Sequence, residues 1–183
     1  MDKVDTIEVV KTFVLANILK GHYSHINNFY DYKVIYERQK KEVDSYSQKK
    51  LWRMVTYEKR LKRFKELNWY FGKVDLRKVG IWPNMGGIKE GLIIKGSKWS
   101  AKKIYKSSGE IACGELNHLF RILPLSPFLN KHVPIIVVEG GLIRKRNPKL
   151  EREKYDIEDG SHRSICLGLL GKTYANAFIG SNK

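Results

Sequence analysis

The chain has 183 residues, 42% of them hydrophobic, and its 35 Lys and Arg outnumber 19 Asp and Glu for a formal net charge of +16. That length and apolar content suit a domain with a real core and exclude a long disordered chain. No apolar run approaches the roughly 18 residues of a membrane span. The first residues lack the basic-then-apolar layout of a signal peptide, and Cys113 and Cys166 lack disulfide or metal-site spacing. The expectation is a cytoplasmic protein without a membrane partner.

The positive charge is distributed: residues 1–95 hold 20 Lys and Arg against 11 Asp and Glu, and residues 96–183 hold 15 against 8. Such a field favours anionic partners, nucleotides and nucleic acids among them. A lysine-rich solvated surface is the plainer explanation of the same excess.

In chain order, Ile7, Val10, Phe13, Val14, Ala16, Ile18 and Leu19 predict a helix over 5–20 that stops at Gly21. A longer helical stretch is expected from Phe29 to Phe71, broken near Ser45-Tyr46-Ser47. Its second half sets Met54, Tyr57, Leu61, Phe64 and Phe71 on one face. The opposite side carries eight basic residues between Lys49 and Lys65. Arg53, Lys59, Arg60 and Arg63 on that side are candidates for contact with a phosphate backbone, although a solvated face over an apolar stripe fits equally.

From Gly72 the texture changes. Pro83-Asn84-Met85-Gly86-Gly87 reads as a turn and residues 88–95 as a strand. A basic helical segment over 1–90 is expected to precede a mixed domain over 91–183. In the latter, a short strand near Lys103-Tyr105 leads to a helix from Ile111 to Ile122, which Pro124 and Pro127 interrupt. Val133 to Glu139 is the clearest strand, dense in β-branched residues. A return strand at Leu142-Ile143 is interrupted by the basic loop 144–154, whose Arg144 and Arg146 are further nucleic-acid candidates. Tyr155–Asp159 completes that arm, a helix runs from Ser161 to Leu170 and stops at Gly171, and Thr173–Ile179 closes the chain.

The densest chemistry lies at Tyr155-Asp156-Ile157-Glu158-Asp159-Gly160-Ser161-His162-Arg163. A strand turning through Gly160 into a helix leaves backbone N–H groups unpaired at the positive end of the helix dipole, which attracts phosphate. Arg163 offers a guanidinium fork, His162 an imidazole and Asp159 a carboxylate. A plain strand-to-helix turn with Ser161 as the N-cap is the structural alternative.

Pro134-Ile135-Ile136-Val137, then Ile157-Glu158-Asp159-Gly160-Ser161-His162-Arg163, then Leu170-Gly171 and Phe178-Ile179-Gly180 together resemble the ParB/sulfiredoxin superfamily over residues 98–180. The resemblance implies an α+β fold, with a ParB/sulfiredoxin-like domain behind the basic helical segment. Sulfiredoxins carry a catalytic cysteine where this chain has Ser161, so thiol chemistry is excluded there. Partition proteins usually carry Glu-Arg-Arg in place of Ser161-His162-Arg163. The pattern is most similar to the archaeal free-serine kinases, which use Asp-Gly-His-His-Arg and a glutamate ten residues before a phenylalanine.

That likeness implies Glu110, with Phe120 ten residues on, as the catalytic glutamate, and Glu115 as its substitute. It also implies transfer of phosphate from ATP or ADP, with magnesium, to a small hydroxyl acceptor such as serine. Gly160, Ser161, His162 and Arg163 would hold phosphate; Glu110, Asp159 and His162 would do catalytic work, with magnesium near Asp159. The same charge pattern supports an alternative, a ParB-like DNA-binding protein or nuclease, and a catalytically idle nucleotide sensor is a third expectation. His118, on the apolar side of its helix, is expected to be structural.

Overall fold

A computed structural model of the chain describes residues 1–23, 29–80, 113–140 and 154–182, with side chains from His118 onward in the stretch that begins at 113. The strands expected at 88–95, 103–105 and 142–143 lie outside the described residues. So do Glu110, Arg144 and Arg146.

The fold is α+β, a mixed sheet with helices packed against it. Strand β1 (Asp2–Val4) leads to helix α1 (Thr6–His22), whose start is fixed by Asp5: its Oδ1 accepts the Ile7 N–H at 2.9 Å. Helix α1 buries Val9, Val10, Phe13, Val14 and Leu19. Helix α2 (Phe29–Asp44) ends at the expected break, and Ser47 caps α3 (Gln48–Met54) by accepting the Lys50 N–H at 3.3 Å. Helix α4 (Glu58–Glu66) is short and polar, with Phe64 as its buried anchor.

The helical reading fails beyond Glu66. Asn68–Asp75 is strand β2, paired antiparallel along its whole length with β6 (Tyr174–Ser181) and on its other edge with β1. Phe71, expected on the helical face of Phe64, instead meets Phe178 across the ladder at 5.6 Å between ring centres. The physical reason is the composition of residues 69–74. Three aromatics in a row and a valine fit a pleated surface better than a helix, and an eight-residue ladder supplies backbone hydrogen bonds that a lone helical turn lacks. Strands from both sides of residue 90 therefore share one sheet, in the order β1, β2, β6, β4 (Ile135–Glu139), β5 (Tyr155–Asp159), β3 (Val79–Gly80).

Short β3 (Val79–Gly80) lies parallel to β5 at the far edge. Helix α5 (Cys113–Ile122) passes through a 3-10 turn at Leu123–Leu125 into α6 (Ser126–His132). Pro127 does not interrupt this path; it sits in the first turn of α6, where a missing N–H leaves no hydrogen bond unmade. Strand β4 (Ile135–Glu139) lies between β6, parallel, and β5 (Tyr155–Asp159), antiparallel, and Ile135 to Val138 are fully buried. Helix α7 (Ser161–Leu169) carries the chain from β5 over to β6 and ends where Gly171 adopts φ 75°. On α7, Cys166 is buried with its thiol donating to the Leu119 carbonyl at 3.4 Å, and burial pushes its pKa up to about 12.

Two aromatic clusters bind the layers. Phe64 meets Phe13 and Trp69 edge-on at 5.7 and 5.4 Å, and the Trp69 indole N–H donates to the Phe64 carbonyl at 3.1 Å. Phe128 of α6 receives Phe29, Tyr32 and Tyr36 of α2, all near perpendicular, at 5.1–5.9 Å. Edge-on contacts of this kind add about 0.5–1.5 kcal/mol each to the area they bury. Among the described residues no helix is long and apolar enough to cross a membrane.

Candidate functional site

The turn between β5 and α7 depends on Gly160, the N-cap of α7, at φ 95° and ψ 24°. A Cβ there would stand 2.7 Å from the Ile135 Cγ2 and 3.0 Å from an Arg163 nitrogen, so both conformation and space require glycine. Ser161 is the first helical residue and not the cap. Its carbonyl accepts the Ser164 hydroxyl at 2.8 Å, while the Ser164 N–H donates to the Gly160 carbonyl at 2.9 Å. The N–H groups ahead of Ser164 belong to the first turn, which has no intrahelical acceptors.

Around this turn lies a cleft of about 230 Å³. Asn17, Lys20 and Tyr23 reach it from α1, Arg60 from α4, and His118 from α5; Glu158 to Arg163 form its remaining wall. The His118 and His162 rings meet edge to face with centres 4.5 Å apart, and the Tyr23 ring meets His118 edge-on at 5.6 Å. Burial raises the pKa of the Tyr23 phenol, opposed by the nearby Arg163, so the hydroxyl stays neutral at physiological pH. Asn17 is tied back to its own helix, its Nδ2 donating to the Phe13 carbonyl at 2.8 Å.

The arginines expected to grip phosphate are largely engaged in the fold. Arg163 is 5% exposed; its Nη1 donates to the Val133 carbonyl and its Nη2 to Asp159 Oδ2. The fork thus turns inward, joining the start of β4 to the end of β5. Glu158 has no exposed side-chain surface and receives two guanidiniums from α4. Arg60 Nε donates to its Oε1, Arg63 Nε to its Oε2 at 2.9 Å, and Arg63 Nη2 to its Oε1 at 3.1 Å. Two of the four α3–α4 basic residues singled out for nucleic acid, Arg60 and Arg63, therefore brace the sheet from within, whereas Arg53 and Lys59 are exposed. Two charge-assisted partners on one buried carboxylate compensate for its desolvation, and a lone partner would do so far less well.

The structure thus brings together Asp159, Gly160, Ser161, His162 and Arg163 on one wall, as their adjacency in sequence requires. Glu115 lies on α5, and Glu110 lies outside the described residues. Lys20, Tyr23 and His118 also line the cleft and were missed as site residues. Lys20 carries no local signal, because a lysine near the end of an amphipathic helix looks like any solvated one. His118 was assigned to packing because its helical neighbours are apolar. The partner of Glu158 was equally hidden, since Arg60 stands 98 residues away in sequence.

Asp159 is the carboxylate on this wall that reaches solvent, with 23% of its side chain exposed and one oxygen held by Arg163. Among the described residues there is no group of three or more His, Cys, Asp or Glu able to hold a metal ion. Magnesium bound with a nucleotide needs only one or two protein carboxylates, because phosphate and water supply the other oxygens, and Asp159 is one carboxylate of that kind. Compared with family models, curated proteins and solved structures, the chain matches none.

Proposed function

We propose that the cleft binds the phosphate groups of ATP or ADP and passes a phosphoryl group to a small hydroxyl acceptor. The observation that carries this reading is convergence. Lys20 from α1, His118 from α5, and His162 with the first-turn N–H groups of α7 meet around one small cleft, although they lie far apart in sequence. Phosphoryl transfer asks chiefly for positioning and charge compensation, which such a set supplies. The ParB/sulfiredoxin resemblance supports the same reading, and within it serine is the implied acceptor.

In this scheme Gly160 and Ser161 present backbone N–H groups to phosphate oxygens, with His162 and Lys20 beside them. Arg163 acts through Asp159 and β4, holding the turn in place. Asp159 would hold magnesium together with phosphate oxygens, and the ion would offset the charge on the transferred group. The acceptor oxygen attacks the terminal phosphorus, the bridging P–O bond breaks toward the nucleotide, and the acceptor proton passes to a carboxylate, which the resemblance assigns to Glu110. The products are a phosphate monoester and the nucleotide shortened by one phosphate.

The test is incubation of the full chain with magnesium, serine and either ATP or ADP, followed by phosphorus NMR. A new phosphomonoester signal that depends on His162 is expected. If neither nucleotide is consumed and neither raises the melting temperature, the reading fails.

A second reading rests on a separate observation. Lys49, Lys50, Arg53, Lys59, Lys62 and Lys65 form an exposed basic run on α3 and α4. A nucleic-acid backbone would fit it, and the affinity would fall steeply with salt. Absence of an electrophoretic shift with DNA at low salt would remove this alternative.

A further inference from the structure

Tyr57 stands where folding has little use for a tyrosine. It joins α3 to α4 at φ 72° and ψ 118°, and among the described residues it is the one non-glycine with positive φ. That conformation is costly for a residue with a Cβ. Its side chain makes no capping hydrogen bond to α4, and the residue is 76% exposed. Glycine would relieve the backbone, and serine, aspartate or asparagine would cap the helix. The tyrosine ring gains neither burial nor a cap from the position it occupies.

Its surroundings supply a use. The Arg60 guanidinium carbon lies 5.5 Å from the Tyr57 ring centre and 4.8 Å from that of Phe13. Arg60 also lines the cleft at the start of α7 and is fixed by Glu158. The Tyr57 ring therefore adjoins the cleft through a cation that cannot swing away. Exposed Arg53 and Lys59 stand near it in the chain, with Glu58 as the exposed carboxylate between.

We propose that Tyr57 is the stacking platform for the base of a nucleotide whose phosphates occupy the cleft. The proposal rests on the phosphate reading above and adds the part of the ligand that phosphate chemistry leaves unspecified. An exposed ring beside positive charge suits a flat, electron-rich base, and stacking accepts any base because each has a π face. ATP and GTP should accordingly bind alike, and both should bind more tightly than tripolyphosphate, which has the charge without the base.

The experiment is calorimetric titration of the full chain with MgATP, MgGTP and magnesium tripolyphosphate, alongside thermal melting, for the wild type, Tyr57→Phe and Tyr57→Gly. Tyr57→Phe should match the wild type. Tyr57→Gly should melt no lower than the wild type, because the strain is gone, yet bind ATP about ten-fold more weakly with tripolyphosphate unchanged. Such opposite movement of stability and affinity is not expected of a structural residue.

Unchanged ATP affinity in Tyr57→Gly overturns the proposal, as does an equal loss for ATP and tripolyphosphate. Wild-type protein that binds tripolyphosphate as tightly as ATP overturns the platform alone and leaves the phosphate reading standing. Binding of neither removes both. A short single-stranded oligonucleotide serves as a further probe. Tighter, Tyr57-dependent binding of that strand supports the platform and identifies nucleic acid as the source of the base.

Discussion

The floor and the mouth of the cleft hold polar side chains in different surroundings. On the floor, Glu158, Arg60 and Arg163 are buried or mostly buried, and each is tied to named partners, with Arg63 joining Arg60 on Glu158. At the mouth, Lys20 is exposed and His118 and His162 are partly so, and they face a space of about 230 Å³. A charged side chain with its partners fixed holds a wall in place, while one facing solvent is available to a ligand. Charge alone therefore does not tell which side chains of this chain are built into the wall and which face the cleft; burial does.

Removing floor charges should destabilise the protein, and the largest effect is expected at Glu158. Glu158→Gln leaves two guanidiniums without their carboxylate, which should cost about 3–5 kcal/mol in urea unfolding. A loss under 1 kcal/mol would show that the floor is solvated, and would break the distinction. Gly160→Ala comes next, at about 2–4 kcal/mol, since it adds backbone strain to a clash with Ile135. Gly171→Ala has the strain without a clash, because nothing lies within 4 Å of its added Cβ, and should cost less than Gly160→Ala.

On the exposed side, Arg53→Gln and Lys59→Gln should each change stability by no more than about 0.5 kcal/mol, the level expected of solvated surface. A larger destabilisation would place them with Arg60 and Arg63, which hold Glu158.

The smallest effect concerns pH. His132, tilted against Tyr36 and Phe128 with ring centres 5.5 and 4.5 Å away, has its pKa held below the ordinary 6.5, first by the partial desolvation these neighbours impose and then by Lys131. The unfolded chain then binds the proton more readily than the folded one, so this contribution is complete above 6.5 and is lost as pH falls through the lower folded value. Urea unfolding at pH 7.5 and 5.5 should show a smaller acid-side loss in His132→Gln than in the wild type. An unchanged difference would contradict the packing described for this ring.

Much of the C-terminal half was legible because its elements are local and periodic. The apolar run at 133–139, the glycine turn at 160, the helix to Leu169 and its stop at Gly171 each follow from residues adjacent in sequence. The break before Gln48 was legible for the same reason, since Ser47 offers a capping oxygen. Strand β2 was not legible, because Phe71 continues the spacing of Phe64 and a helix and a strand both accommodate it. Only the long partner β6 decides between them, about a hundred residues later.

The candidate site divides similarly. Asp159 to Arg163 could be found from their order alone, but the inward turn of the Arg163 fork could not, because one arm donates to the backbone carbonyls of Val133 and Pro134, about 30 residues earlier. Lys20 and His118 join the site only because the fold brings α1 and α5 to the same cleft as the start of α7. Nothing in their own segments marks them, and the missing information is tertiary.

The most direct test of the central claim compares Lys20→Ala with wild type for MgATP affinity and for stability in urea. Lys20 is exposed at the mouth and takes no part in the buried ion pairs. Affinity should fall about ten-fold, the effect of about 1.4 kcal/mol expected for one lost charge-assisted contact, with the unfolding midpoint unchanged. Wild-type affinity in Lys20→Ala, or a loss of stability in place of affinity, would contradict the account.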